Sequence, residues 1–365
     1  MQQCDRTYVL HGGRKLSYFS GCDYFRLSSH PRVRAALVAA VRQYGLSVSA
    51  SRMTTGNHVL FGQLEARLRE FFAAPAVTLT PTGYVANFIA AQALAGQVSH
   101  ALLDAGAHAS LADATRFLDC PVVRFPHRDA EGLRAAAAAA GPDARLLVVT
   151  DGLCARDGSA APLADYLKVV PKTARFLVDD AHGAGVLGAG GQGTWEHAGI
   201  PRGRVIQTIT LSKAFGAYGG AVLTAKPLRG RILGSSMCFV GSTPPPLPLV
   251  AAALESVRLL AADPRLRERL AKNRDRVKNA LRAAGLPVPA TPGPMFGLFP
   301  RTAAVAGRVR KALEEAGIFP PFIHYPGAPR AGYFRFVISS EHTSAQLDNL
   351  VEVLAAFPPA DFIAG

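Results

Sequence analysis

The 365-residue sequence predicts an α/β protein, with a large domain on a mainly parallel sheet followed by a smaller α+β domain. Short apolar segments recur with helical stretches between them, at Ala101–Asp104, Arg145–Asp151, Arg175–Asp180, Val205–Thr210 and Gly220–Thr224. Strands that alternate with helices pair in parallel and are covered on both faces. The run Ser242-Thr243-Pro244-Pro245-Pro246-Leu247-Pro248 suits neither a helix nor a central strand, so it marks a boundary. The chain is also too long for one simple core. The expected divisions are an amino-terminal segment over 1–45, a large domain over 46–245 and a small domain over 246–365.

Each element has a local cause. Leu60, Leu64, Leu68 and Phe71 or Phe72 recur one helical turn apart, which predicts a helix over Leu60–Phe72. In Thr80-Pro81-Thr82-Gly83-Tyr84-Val85-Ala86-Asn87 a hydroxyl and a glycine open an apolar helix, where backbone N–H groups and the dipole favour a phosphate. Six consecutive alanines within Glu131–Ala140 form a spacer helix that Gly141-Pro142 stops. Past the proline run, Leu249–Leu281 reads as one or two long helices. Arg308–Ala316 then reads as helix, Tyr333–Ser339 as strand and Ser344–Phe357 as a last helix.

Hydrophobic residues make up 49% of the chain and charged ones 18%, a globular composition that excludes a disordered or fibrous protein. No apolar run approaches the roughly 18 residues that cross a bilayer. The start Met-Gln-Gln-Cys-Asp-Arg lacks the apolar core of a signal peptide, so a cytoplasmic location is expected. The five cysteines (Cys4, Cys22, Cys120, Cys154, Cys238) are odd in number and form no C-x-x-C pair. They read as reduced, mostly buried thiols. The formal charge of +14 favours an acidic partner. Nucleic acid fits poorly, because the basic residues are scattered, are dense only around Arg265–Lys278, and have no interleaved aromatics.

Two strand ends carry the chemistry. In Arg175-Phe176-Leu177-Val178-Asp179-Asp180-Ala181-His182-Gly183 an apolar strand runs into two carboxylates and a histidine, at the carboxyl end where open α/β sheets bind ligands. A buried acid there needs a cationic partner, and the protonated ring nitrogen of a pyridine cofactor would serve. The plainer alternative is an aspartate capping the next helix beside a surface histidine. Val205-Ile206-Gln207-Thr208-Ile209 ends in Thr210-Leu211-Ser212-Lys213-Ala214-Phe215-Gly216-Ala217-Tyr218-Gly219-Gly220, placing a lysine among hydroxyls and glycines. Desolvation there lowers a lysine pKa and makes it a nucleophile and base. A P-loop is excluded, since its glycines precede the lysine and these follow it. His108, in Asp104-Ala105-Gly106-Ala107-His108-Ala109-Ser110, follows a strand to a comparable depth and could stack on a planar cofactor or serve structure alone.

In that order, Gly83-Tyr84, His108, Asp179-x-x-His182 and Thr210-x-x-Lys213 resemble the pyridoxal phosphate (PLP)-dependent α-oxoamine synthases. The resemblance runs from Tyr18-Phe19-Ser20-Gly21-Cys22-Asp23-Tyr24 to Arg335-Phe336-Val337-Ile338-Ser339-Ser340-Glu341-His342-Thr343, and Val178–Gly188 is its most specific block. It implies a fold-type-I, aspartate-aminotransferase-like transferase with pyridoxal 5'-phosphate as cofactor. By position, Lys213 would form the Schiff base and move the Cα proton, Asp179 would keep the pyridine nitrogen protonated, and His108 would stack on the ring. His182 would bond the phenolic oxygen, and Gly83, Tyr84 and Thr210 would hold the cofactor. Thr243 would complete the phosphate site from the neighbouring subunit of a homodimer. Arg335 would grip the substrate carboxylate with its planar fork. The reaction implied joins a small amino acid to an acyl thioester, with loss of thiol and carbon dioxide, to give an α-aminoketone. Coenzyme A or an acidic acyl-carrier protein, as donor, would exploit the positive charge. An aminotransferase or lyase would use the same Lys213, Asp179 and His108, and a basic binding protein could keep the fold without catalysis.

The sequence departs from that family at three places. Ala155, in Asp151-Gly152-Leu153-Cys154-Ala155-Arg156-Asp157-Gly158, stands where a serine hydroxyl is expected near the phenolic oxygen, a loss worth roughly 1 kcal/mol. Phe61 takes the place of a histidine before x-x-Leu-Glu, while His58 lies three positions earlier. The amino-terminal helix that shapes the acyl entrance in relatives has no counterpart before Tyr18, which points to an unusual acyl donor.

Overall fold

The computed structural model describes residues 1–3, 5–324 and 331–363; Cys4 lies outside them. The chain forms two compact units, Pro31–Leu153 with Ala160–Ala262, and Met1–His30 with Cys154–Ser159 and Asp263–Gly365. These differ from the divisions expected at 45 and 245. Helix Pro31–Tyr44 belongs to the larger unit because it packs along helix Leu247–Ala262, where Arg32 and Glu255 pair at 2.6 Å. The proline run is no boundary. Leu247 and Pro248 already form the first turn of Leu247–Ala262, where a missing proline N–H costs nothing.

The larger unit contains a seven-stranded sheet in the order Ala76–Thr80, Gly220–Thr224, Val205–Thr210, Arg175–Asp179, Leu146–Asp151, His100–Asp104, Val122–Phe125. Gly220–Thr224 is antiparallel to both neighbours, and the pairs from Val205–Thr210 outward are parallel. Side chains alternate between two cores, as period two requires. Leu103, Leu147, Val149 and Leu177 enter one with Ile89 and Leu94, whereas Leu102, Val148, Phe176 and Val178 enter the other with Leu133 and Tyr166. Both faces are therefore dry, and truncating any one of these leucines to alanine costs about 2–5 kcal/mol. The expected helix at Leu60 runs Val59–Phe71, and the alanine spacer runs Ala130–Ala139.

The smaller unit holds an antiparallel sheet in the order Phe322–Ile323, Tyr333–Val337, Met295–Pro300, Phe362–Ile363, and an amino-terminal sheet of Gln2–Gln3, Tyr8–His11 and Arg14–Ser17. Helices Arg265–Ala283, Ala303–Glu315 and Ser344–Ala355 pack with these strands around Phe19, Phe296, Phe334, Phe336 and Leu350. Pro264 precedes the first of them, so the long helical pattern resolves into two helices. Cys22, Cys120, Cys154 and Cys238 are unpaired thiols, half-buried and not mostly buried as expected. Among the described residues no helix is long and apolar enough to cross a membrane, and no cluster of His, Cys, Asp and Glu suits a metal ion.

Candidate active site

Lys213 stands three residues past Val205–Thr210, in a turn closed by Leu211 N–H to Gly219 C=O at 2.9 Å and Ala217 N–H to Leu211 C=O at 2.9 Å. Gly219 has φ 114°, a left-handed backbone that a side chain would strain. The turn aims Lys213 Nζ at His182 Nε2, 2.7 Å away. His182 itself follows the end of the adjacent strand Arg175–Asp179.

Asp179, 9% exposed, ends that strand. Its Oδ2 accepts the Asn87 side-chain amide at 2.7 Å and its Oδ1 accepts the Ala181 N–H at 3.0 Å. Asp151 is its cross-strand partner one strand over. Burial, then the neighbouring Asp179 charge, pushes Asp151 up to about 8, against the opposing pull of the His108 N–H and Lys213. Burial alone would also raise Asp104, at the end of the next strand, but bonds from His127 Nδ1 at 2.6 Å and the Gly106 N–H at 2.8 Å hold it below the usual carboxylate range.

Asp180, next in sequence to Asp179, does another job. It accepts Thr194 N–H at 2.8 Å, Thr194 Oγ1–H at 2.6 Å and the Gln207 amide at 2.8 Å, and burial pushes it up to about 6. It ties down the glycine-rich loop after the strand.

His108 caps helix Ala109–Ala114: its Nδ1 accepts the Ser110 N–H at 3.3 Å and lies 2.8 Å from Ser110 Oγ. Its own N–H donates to Asp151 Oδ2 at 2.7 Å, so the exposed ring is fixed from both ends. Tyr84 meets that ring edge-on at 6.1 Å and donates its hydroxyl to Asp113 at 3.1 Å; burial and Asp113 raise its pKa. Gly83 starts helix Gly83–Leu94, and a Cβ there would stand 2.7 Å from Thr210 Cβ, so only glycine lets this helix start press on Thr210. Thr210 Oγ1 in turn lies 2.7 Å from Ser212 Oγ.

The larger unit thus brings together Lys213, His182, Asp179, His108, Tyr84, Gly83 and Thr210. Thr243 sits exposed past helix Met237–Val240, and among the described residues no hydrogen bond joins it to this group. Arg335 lies half-buried in the smaller unit, in the middle of Tyr333–Val337. His58 caps helix Val59–Phe71 through Nδ1, and Phe61 is fully buried beneath the Arg52 guanidinium at 5.0 Å. Ala155 falls in a turn of the smaller unit closed by Gly158 N–H to Cys154 C=O at 3.0 Å.

Sequence reasoning gave no role to Asn87, Ser110, Asp151 or Thr208, which support the named residues from behind. The usable signal was Asn87, one of two amides, with Gln92, in an otherwise mainly apolar helix. The donor set suits a pyridine cofactor. The ends of adjacent strands gather carboxylates with a lysine close by, and the raised Asp151 shows that another cation there would be welcomed.

Residues 20–354 match the model of the aminotransferase class I and II family. The chain belongs to that family. It is 35% identical over 350 residues to a putative 8-amino-7-oxononanoate synthase of Desulforudis audaxviator, covering 95% of this chain and 91% of the relative. An 8-amino-7-oxononanoate synthase of Methylococcus capsulatus is also 35% identical, over 98% of this chain and 92% of its own. The serine palmitoyltransferase of Sphingomonas wittichii superposes with a TM-score of 0.89 at 28% identity, over 97% of this chain and 90% of that one. Similar serine palmitoyltransferase structures contain PLP. Within the family the chain is an α-oxoamine synthase on the fold-type-I scaffold, and its cofactor is pyridoxal 5'-phosphate. It is a PLP-dependent acyltransferase that condenses an amino acid with an acyl thioester and releases carbon dioxide.

Proposed function

We propose that this enzyme makes an α-aminoketone from a small amino acid, with Lys213, Asp179, His182 and His108 as its catalytic group. The observation that carries the reading is the 2.7 Å approach of Lys213 Nζ to His182 Nε2, beside Asp179 at neighbouring strand ends. Bound PLP supplies an electron sink at Cα. Lys213 anchors the cofactor and moves the Cα proton, a transfer worth about 10²–10⁴-fold in rate. Asp179 holds positive charge at the pyridine nitrogen, with its carboxylate fixed by two N–H donors. His182 would bond the phenolic oxygen, and His108 would pack against the ring. Gly83, Tyr84 and Thr210 orient the cofactor, the helix start at Gly83 facing its phosphate. Arg335 takes the substrate carboxylate in two parallel bonds.

The same reading makes the enzyme a cytoplasmic homodimer in which Thr243 reaches the partner's phosphate site. Read backwards through this reaction, the product named for the two curated relatives divides into alanine and a dicarboxylic acyl group, the first substrates to try. The charge of +14 favours a donor on an acidic acyl-carrier protein over free coenzyme A. Purified holoenzyme is to be mixed with candidate amino acids and with matched acyl groups on each carrier. Equal yields of free thiol, carbon dioxide and aminoketone are expected, with faster turnover from the carrier protein. A keto acid formed from the amino donor without thiol release would overturn the substrate assignment while leaving Lys213, Asp179 and His108 in their roles, and a preference for coenzyme A would end the carrier proposal.

A further inference from the structure

Helix Gly83–Leu94 buries Ala86, Ile89, Ala90, Ala91, Ala93 and Leu94, and among them it also buries Asn87 completely. An amide in such a place is costly unless its bonds are made. Here they are. Asp179 can only accept, so the Asn87 nitrogen must face it, and the amide orientation follows from chemistry. Nδ2 donates to Asp179 Oδ2 at 2.7 Å and to Ser110 Oγ at 2.9 Å, while Oδ1 accepts Thr208 Oγ1–H at 2.6 Å. Ser110 Oγ takes the Asn87 proton and so turns its own hydrogen to His108 Nδ1, 2.8 Å away. The Ser110 backbone N–H points at the same nitrogen from 3.3 Å, so Nδ1 is an acceptor and the neutral ring carries its proton on Nε2. All donors run in one direction, from Thr208 through Asn87 to Asp179 and, by way of Ser110, to His108.

We infer that Asn87, acting with Ser110, is a positioning residue that couples the carboxylate beneath the pyridine nitrogen to the imidazole lying over the ring. The inference rests on the roles proposed above for Asp179 and His108. One buried amide sets both partners of the cofactor ring, so a change at Asn87 reaches the electronics of the cofactor and the seating of His108 together. A group needed only for packing would do neither.

Asn87→Leu keeps the volume and removes the donors, Ser110→Ala cuts only the branch to His108, and Asp179→Asn is the control. Each holoprotein is titrated with pH while the visible band of the lysine-bound cofactor is followed, and PLP affinity is measured by fluorescence. Positive charge on the pyridine nitrogen lowers the pKa of the neighbouring imine, so weakening Asp179 raises the midpoint. Asp179→Asn and Asn87→Leu are expected to raise it by about one unit, with PLP bound about tenfold more weakly in Asn87→Leu. The double variant should add little to Asp179→Asn, since both act on one interaction. Ser110→Ala should weaken PLP a few-fold and leave the midpoint in place, and it serves if Asn87→Leu does not fold. A shifted control with an unmoved Asn87→Leu, or wild-type PLP affinity in Ser110→Ala, would overturn the coupling alone. An unmoved Asp179→Asn would overturn the reading of Asp179 and the coupling with it.

Discussion

Both units bury polar groups, and they do so in opposite ways. At the strand ends of the larger unit the polar side chains bond one another, from the buried Asp179, Asn87 and Ser110 out to the exposed His108 and between the half-buried Lys213 and His182. In the smaller unit the buried cations and histidine bond mainly backbone. Lys278, 2% exposed, donates to the carbonyls of Thr291 and Gly293 and to the Thr291 hydroxyl within 3.0 Å. Arg26, with φ 52°, reaches the Tyr18 carbonyl at 2.8 Å. His342 stacks on Phe19 at 4.2 Å, takes the Ser339 N–H at 3.0 Å, and is pushed down to about 3 by burial, so it stays neutral. Side chains that bond each other toward one focus can be reoriented by a ligand. Side chains that bond carbonyls fix the course of the chain.

The comparison breaks most sharply at Lys213. Lys213→Ala should lower turnover by at least about 10³-fold, since it removes both the anchor and the proton carrier. Its melting temperature without cofactor should stay near that of the parent, because the turn around it is held by Leu211, Gly216, Ala217 and Gly219 backbone bonds. A large drop in that temperature, with turnover retained, would place Lys213 among the architectural groups instead.

Lys278 tests the other side. Burial lowers its pKa to about 7 in the fold, while the unfolded chain keeps the ordinary value near 10.4. Between these values the unfolded state binds more protons, so stability rises with pH across that window, by up to about 1.4 kcal/mol per unit. Lys278→Met should flatten the rise in a urea-denaturation series from pH 7 to 10 and leave kcat unchanged. A persistent slope would show that the ammonium is not the titrating group.

The same contrast explains what could be read from the chain. The positions of Lys213, Asp179, His182, His108 and Gly83 at strand ends and helix starts were legible because short motifs record residue type at such places. The parallel sheet was legible because its strands are apolar on both faces. Asn87, Ser110 and Asp151 were harder, since each acts through a partner distant in sequence; Asn87 lies 92 residues from Asp179. Lys278 and His342 left no signature of these bonds, because backbone partners have no side-chain identity. The proline run misled for a related reason. Proline forbids the middle of a helix and not its first turn, so Leu247–Ala262 could begin inside the run and pack back on Pro31–Tyr44.

The smallest effect is expected at Asp151, which belongs to both classes. It is an ionisable group at the focus, yet its bond goes to a backbone donor, the His108 N–H at 2.7 Å. Its pKa of about 8 in the fold lies above the ordinary carboxylate value, so between pH about 4 and 8 the folded state binds more protons than the unfolded one. Stability of the cofactor-free protein therefore falls as pH rises through that window. Asp151→Asn keeps an acceptor for the His108 N–H and mimics the neutral acid, so it should abolish this fall while changing PLP affinity by no more than about threefold, below 1 kcal/mol. Denaturation midpoints of the cofactor-free variant from pH 5 to 8 provide the measurement. If Asn there weakens PLP as strongly as Asp179→Asn does, the charge of Asp151 is part of the cofactor's counterion, and the carboxylates of these two adjacent strands act as one group.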